Sequence, residues 1–112
     1  MALDWEVDIQ DGVVTVRPDG SIDFASTDAF RLALDDAVDR PGVREIVVDL
    51  CDVAFVDSSA LGLFATVRRL SENRGITFRL WRPVPGVTRI LRLTNLYHYL
   101  VRPSTEDGPG SA

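Results

Sequence analysis

The sequence predicts an α/β domain: a mixed β-sheet that opens with a hairpin and continues in alternating strand and helix units, with helices covering the sheet. Three patterns carry that prediction. Two alternating runs, WEVDIQ (5–10) and VVTVRP (13–18), flank the tight-turn pair Asp11-Gly12. Apolar residues recur at helical spacing in the stretches that follow. Two strand-like runs, EIVVDL (45–50) and ITFRLW (76–81), are separated by one of those helices, which makes crossover connections and parallel pairing the expected result.

The elements follow in order. After the hairpin, Asp19-Gly20 is expected to turn the chain again, with SIDF continuing extended. Ser26 or Thr27 caps a helix, with Asp28 in its first turn where the dipole favours an acid. Phe30, Ala33, Leu34, Ala37 and Val38 form one apolar stripe, and Pro41-Gly42 ends the helix. The run 45–50 reads as a strand buried on both faces. FVDSSALGLFATVRRL (55–70) begins as a strand and turns into a helix from about Ser59 to Asn73, stopped by Gly75. Its expected core face is Ala60, Leu63, Phe64, Val67 and Leu70. Pro83-Val84-Pro85-Gly86 breaks the chain after the strand 76–81, and VTRILRLTNL forms a short last helix burying Val87, Ile90, Leu91 and Thr94. YHYLV (97–101) is expected to be an extended or irregular tail packed on the sheet, with a short final strand as the alternative. The domain is assigned to residues 1–102. The Pro-, Gly- and Ser-rich segment 103–112 is expected to be a disordered tail.

Composition narrows the function classes. With 112 residues, one domain with its own core is the default. The lone Cys51 excludes an intramolecular disulfide and fits a reducing compartment. MALDWEVDIQ lacks the basic-then-apolar order of a secretory signal, and no apolar run is long enough to span a bilayer, so a cytoplasmic protein with no membrane partner is expected. The net charge of −5 argues against nucleic-acid binding. That charge is unevenly placed: residues 1–57 carry 14 acids and 4 arginines, residues 58–112 carry 3 acids and 8 arginines, and lysine is absent.

Enzyme chemistry finds little support, and no catalytic residue, metal ligand or cofactor is assigned. The glycine-rich dinucleotide and phosphate loops are missing, as is the G-x-S-x-G elbow of hydrolases. A Ser-His-Asp site would need His98, which sits between Tyr97 and Tyr99 as a packing or surface residue. One Cys and one His do not make a zinc site. Asp23, Asp49, Asp52 and Asp57 are expected near the strand ends, in loop-capping roles.

The junction Asp57-Ser58-Ser59-Ala60 is the informative stretch. A helix start offers unsatisfied N–H groups and about half a positive charge, which suits a capping oxygen and equally suits a phosphate. Asp57 or Ser58 serves as the cap. If Ser58 is exposed at this rim, phosphorylation adds roughly −1.5 to −2 charges beside Asp57 without requiring the domain to unfold. Leu61 falls to one side of the core face, either as an apolar contact for a partner or packed under an adjoining element.

Asp57-Ser58-Ser59-Ala60-Leu61-Gly62, between an apolar strand and an apolar helix, resembles the phosphorylation motif of the STAS domain, and of bacterial anti-sigma factor antagonists in particular. Gly20-Ser21-Ile22-Asp23 resembles the family's segment before its first helix. Residues 44–59 are similar to its strand and loop register, and Arg89-Ile90-Leu91 with Asn95-Leu96 to its last helix and exit. The resemblance implies an antagonist that binds an anti-sigma factor with Ser/Thr kinase activity, frees the sigma factor, and lets go once phosphorylated. A Ser/Thr phosphatase resets it. It implies Ser58 as acceptor and Asp23, Asp57, Ser59 and Leu61 as the surface facing the partner, on a chain that is monomeric alone. Two residues depart from the pattern: Ala60 replaces a common glycine, whose methyl would narrow a partner's approach, and Ser21 replaces a common acid. The alternative is a STAS module that scaffolds a signalling assembly or senses a small ligand or nucleotide.

Overall fold

The structure, a computed structural model, describes residues 3–101. The expected domain end at 102 and the tail 103–112 lie outside the described residues. The element order is β1 (Asp4–Gln10), β2 (Val13–Ile22), α1 (Thr27–Asp39), β3 (Glu45–Asp49), β4 (Val53–Val56), α2 (Ser58–Asn73), β5 (Thr77–Trp81), α3 (Pro85–Leu93) and α4 (Tyr97–Leu100). The expected α/β class with a mixed sheet is present.

β1 and β2 form the antiparallel hairpin. Asp11 and Gly12 both adopt positive φ, 53° and 80°, as a primed two-residue turn requires. A Cβ on Gly12 would also meet the Gly42 carbonyl at 2.9 Å, so the turn needs glycine for room as well as for φ. β2 then pairs in parallel with β3, and β3 with β5, giving the order β1-β2-β3-β5. Alternation along the strands sends Val14, Val16, Ile46, Val48, Phe78 and Leu80 into one cluster with Phe30, Leu34, Phe64, Val67 and Leu91 from the helices. The opposite face of β3 is also buried and carries two acids around Val47: Glu45 is bonded by Arg79 Nε at 3.0 Å, and Asp49 is fully enclosed.

Several expectations are corrected. The chain does not turn at Asp19-Gly20; β2 runs straight on to Ile22, and Gly20 (φ 126°) absorbs a register shift in the strand's new partner. That partner is β4, a separate strand beyond a turn at Leu50–Asp52, paired in parallel with Gly20–Ile22. The sequence reading merged β4 with the junction because four residues with pattern buried-exposed-exposed-buried carry no clear period. Pro85 does not break the chain but starts α3, at the one helical position where a missing N–H costs nothing. Leu70 is 39% exposed, Thr94 is exposed and Ile90 only half-buried, so those three leave the expected core. Thr94 instead returns its hydroxyl to the Ile90 and Leu91 carbonyls. Residues 97–100 form one helical turn, and the possible final strand is reduced to a single parallel bridge between Val101 and Leu80.

Helix ends explain the remaining boundaries. α2 stops where Gly75 (φ 70°) lets the Gly75 and Ile76 amides bond back to Glu72 and Ser71. α3 ends the same way through Asn95 (φ 60°), with Asn95 and Leu96 amides donating to Arg92 and Leu91.

The charge asymmetry of the sequence closes in space. Arg74 pairs with Asp39, Arg79 with Glu45 and Arg82 with Asp49, each an arginine of the second half on an acid of the first. Among the described residues, no helix is long and apolar enough to cross a membrane.

Candidate functional site

The parallel strands deliver three connections to one rim of the sheet: β2 into α1, β4 into α2, and β5 into α3. Open α/β sheets place their sites on such a carboxyl rim. Asp57 organises the middle of it. Its Oδ1 accepts the Ser59 and Ala60 amides at 2.9 and 3.2 Å, which makes Asp57 the N-cap of α2 and settles the choice left open by the sequence. Its Oδ2 accepts the Phe24 amide at 2.9 Å, so one carboxylate also pins the loop between β2 and α1.

Ser58 is thereby relieved of capping. It is the first residue of α2, it is exposed, and among the described residues its side chain has no hydrogen-bond partner. The N-terminal pole of a 16-residue helix lies beneath it. One turn on, Gly62 is exposed with nothing within 4 Å of where a Cβ would stand, and Thr66 and Arg69 continue that line at helical spacing. The face running from Ser58 is low near its start and lets another surface approach closely.

Asp23 stands on the neighbouring connection. Its Oδ1 accepts the Ala25 and Ser26 amides at 3.0 and 3.2 Å, and Ser26 Oγ accepts the Asp23 amide while donating to the Ser21 carbonyl. Ser26 is therefore the N-cap residue of α1 by position, yet its hydroxyl serves the loop and not the helix amides. The effect is a rigid turn that holds Phe24 out: the residue is 81% exposed. Sequence reasoning missed Phe24. The signal was available, since it is the one bulky apolar residue in the run Asp23–Asp28 and lies outside the stripe of α1.

Two expected features are corrected here. Leu61 is only 6% exposed and belongs to the core cluster, because α2 is flanked by α1 and β4 and buries a wider face than its core stripe alone. It offers a partner little surface. Ala60 is fully buried, so its methyl points into the core and does not narrow any approach to Ser58. The acids do not gather as one cluster: Asp23 and Asp57 cap loops, while Asp49 takes Arg17, Arg82 and the Cys51 amide. Burial pushes the Asp49 carboxyl up, but the bonds from Arg82, the Cys51 amide and Arg17 outweigh it and hold the group below the ordinary carboxylate value. Burial and then Asp49 push the Cys51 thiol up, away from the thiolate a nucleophile needs. Among the described residues no group of three His, Cys, Asp or Glu could hold a metal ion. His98 is exposed on α4, edge-on to Tyr97 at 5.5 Å.

Comparison with known proteins agrees with this geometry. The model of the STAS domain matches residues 4–108. The anti-sigma F factor antagonist of Paenibacillus polymyxa is 31% identical over 97 residues, covering 87% of this chain and 83% of the relative. The structure of unphosphorylated SpoIIAA, an anti-sigma factor antagonist, superposes with a TM-score of 0.76 at 21% identity, over 88% of this chain and 86% of that one. Phosphorylated SpoIIAA from Bacillus superposes with a TM-score of 0.69 at 20% identity, over 88% and 89%. A match across nearly the whole described chain, with the serine junction on the expected rim, places this protein in the STAS domain family.

Proposed function

We propose that this protein is an anti-sigma factor antagonist whose grip on its partner is switched by phosphorylation of Ser58. The observation that carries the reading is the division of labour at the junction: Asp57 does the capping, and the Ser58 hydroxyl is left exposed and unbonded at a helix start. The relative from Paenibacillus polymyxa supports the antagonist role by its name. The unmodified form binds an anti-sigma factor with Ser/Thr kinase activity and so releases a sigma factor. The kinase transfers the γ-phosphoryl group of its own ATP to Ser58 Oγ, ADP leaves, and the hydroxyl proton passes to a base on the kinase. A Ser/Thr phosphatase restores the hydroxyl. Asp23, Asp57, Ser59 and the ring of Phe24 form the contact surface around the acceptor.

The phosphate suits the site in one sense and spoils it in another. Helix amides and the dipole accommodate roughly two negative charges at this position, so the fold stays intact. The same charges must be stripped of water and set beside Asp57 when a partner covers them. A cost of about 3–4 kcal/mol lowers affinity roughly 100- to 1,000-fold. Binding of the anti-sigma kinase to wild type, Ser58→Ala and Ser58→Asp tests this. Ser58→Ala is expected to bind and resist phosphorylation, and Ser58→Asp to bind at least 100-fold more weakly with an unchanged melt. Equal affinity for wild type and Ser58→Asp would refute the switch. A phosphate mapped to Ser59 would move the acceptor by one residue.

A further inference from the structure

Arg74 and Arg79 of the second half pair with Asp39 and Glu45, Arg82 shares Asp49 with Arg17, and Arg68 faces Glu72, while Arg69 on the outer line of α2 has no carboxylate partner among the described residues. α3 carries two more unneutralised arginines, side by side on one helix. It contains no acid, Arg89 has no carboxylate partner among the described residues, and Arg92 stacks on the Tyr97 ring at 4.0 Å without an ion pair. The inner side of the helix buries Val87 and Leu91. Its outer side presents Pro85, Arg89, Arg92 and Leu93, spaced i, i+4, i+7 and i+8, so they lie along one stripe. Leu93 is 72% exposed. With Pro83 and Thr88 these residues line a shallow, open groove of about 580 Å³.

The groove has an apolar floor and a cationic rim, and its walls dictate what kind of segment fits. Pro83 and Pro85 have no N–H, and the other α3 amides past the first turn are spent within the helix, so an extended strand would find few backbone donors to pair with. Side chains must supply the affinity, as when an amphipathic helix lies in a groove. Nine residues of α3 span about 13 Å, enough for two to three turns of a neighbouring helix. The location is equally specific. α3 packs against β4, the strand that leads directly into Asp57 and Ser58, and Phe55 of that strand is 48% exposed.

We infer that this groove is a second anchor for the protein that docks at Ser58, and that it receives an acidic amphipathic helix of that partner. The inference rests on the reading of Ser58 as a contact site. Leucine-like side chains of the helix meet Leu93 and the two prolines, and its carboxylates meet Arg89 and Arg92. A second copy of this chain is a poorer occupant: α1 offers Asp28, Leu32 and Asp36 on its outer side, but Arg31 stands among them, beside Asp35, and opposes Arg89 and Arg92.

The experiment compares an anti-sigma factor recovered from native cells with the wild-type protein against four forms: wild type, Ser58→Asp, the pair Arg89→Glu with Arg92→Glu, and Leu93→Ser. All three α3 positions are exposed, so folded variants are expected, with an unchanged melt for Leu93→Ser and a slightly lower one for the charge-reversed pair, which loses the Arg92–Tyr97 stacking and places a carboxylate in the last turn of α3. The charge-reversed pair is expected to bind at least tenfold more weakly and to lose or reverse the weakening of binding by salt, and Leu93→Ser to lose several-fold. If the α3 variants bind within twofold of wild type while Ser58→Asp fails, the groove is not an anchor and the Ser58 reading survives. If no anti-sigma factor binds wild type at all, the Ser58 reading falls instead. A photo-crosslinker at position 93, with position 32 as control, then decides the groove alone. Capture of a helical segment rich in Asp and Glu supports the anchor. Capture no stronger than at 32, capture of a non-acidic segment, or capture of a second copy with dimers in sedimentation overturns it.

Discussion

Asp49 closes β3 and Asp57 follows β4, the next strand in the chain, and they do opposite things. Asp49 is fully buried and spends both oxygens on two guanidinium groups and one amide, which ties β3 to β2 and to the loop entering α3. Asp57 takes only backbone amides, two from its own helix and one from the loop before α1. The first arrangement locks a scaffold. The second fixes two loops while leaving the neighbouring hydroxyl and the Phe24 ring facing water. Under the proposed function the site is read and altered by another protein, and that role needs this second kind of support: firm backbone with uncommitted side chains.

The contrast can be broken by substitution, beginning with the largest effect on stability. Asp49→Asn is expected to cost about 2–3 kcal/mol, less than a buried pair with both ends enclosed, because Arg17 and Arg82 can turn to water. Urea denaturation at neutral pH measures it. The same variant has a pH signature. The carboxyl of Asp49 lies below its ordinary value in the folded protein, so its stabilisation is complete above the unfolded value, near 4, and fades as pH falls through the folded one. Wild type and Asp49→Asn should therefore converge in stability only in acid below about pH 4. A gap that stays constant down to pH 2 would show that packing, not charge, is what Asp49 supplies.

Asp57→Ala should cost about 1–2 kcal/mol, the upper range for a lost cap, because a third amide is released with the two in the helix. Hydrogen exchange at Phe24 should accelerate along with that at Ser59 and Ala60. If Asp57→Ala proves as costly as Asp49→Asn, the distinction between lock and support fails. Phe24→Ala sharpens the comparison from the other side: we expect at least a tenfold loss in partner binding, about 1.4 kcal/mol, with the melt unchanged. Ser58→Ala should be the mildest, within about 0.5 kcal/mol of wild-type stability, since the cap belongs to Asp57.

Much of this was legible in the residues. Asp11-Gly12 announces the hairpin because few other pairs accept two positive φ values in succession. The stripe of α1 and the glycine stop of α2 follow from helical period and from the left-handed conformation that ends a helix. Asp57-Ser58 was legible as a helix start for the same reason, although its two oxygen-bearing residues competed for the cap. The misreadings share a cause. β4 is too short to show a period, Pro85 is ambiguous between breaking a helix and beginning one, and Leu61 and Leu70 lie at the margins of a stripe where burial depends on what stands alongside.

Local chemistry, then, determined the hairpin, α1, α2 and the junction, because φ preference, period and capping act over a few residues. Tertiary structure alone decided which acids meet which arginines, that Phe24 would be held outward by a carboxylate 33 residues away, and that α3 would keep its positive charge unmatched. Those outcomes depend on contacts between residues distant in the chain, and no pattern within a short window encodes them.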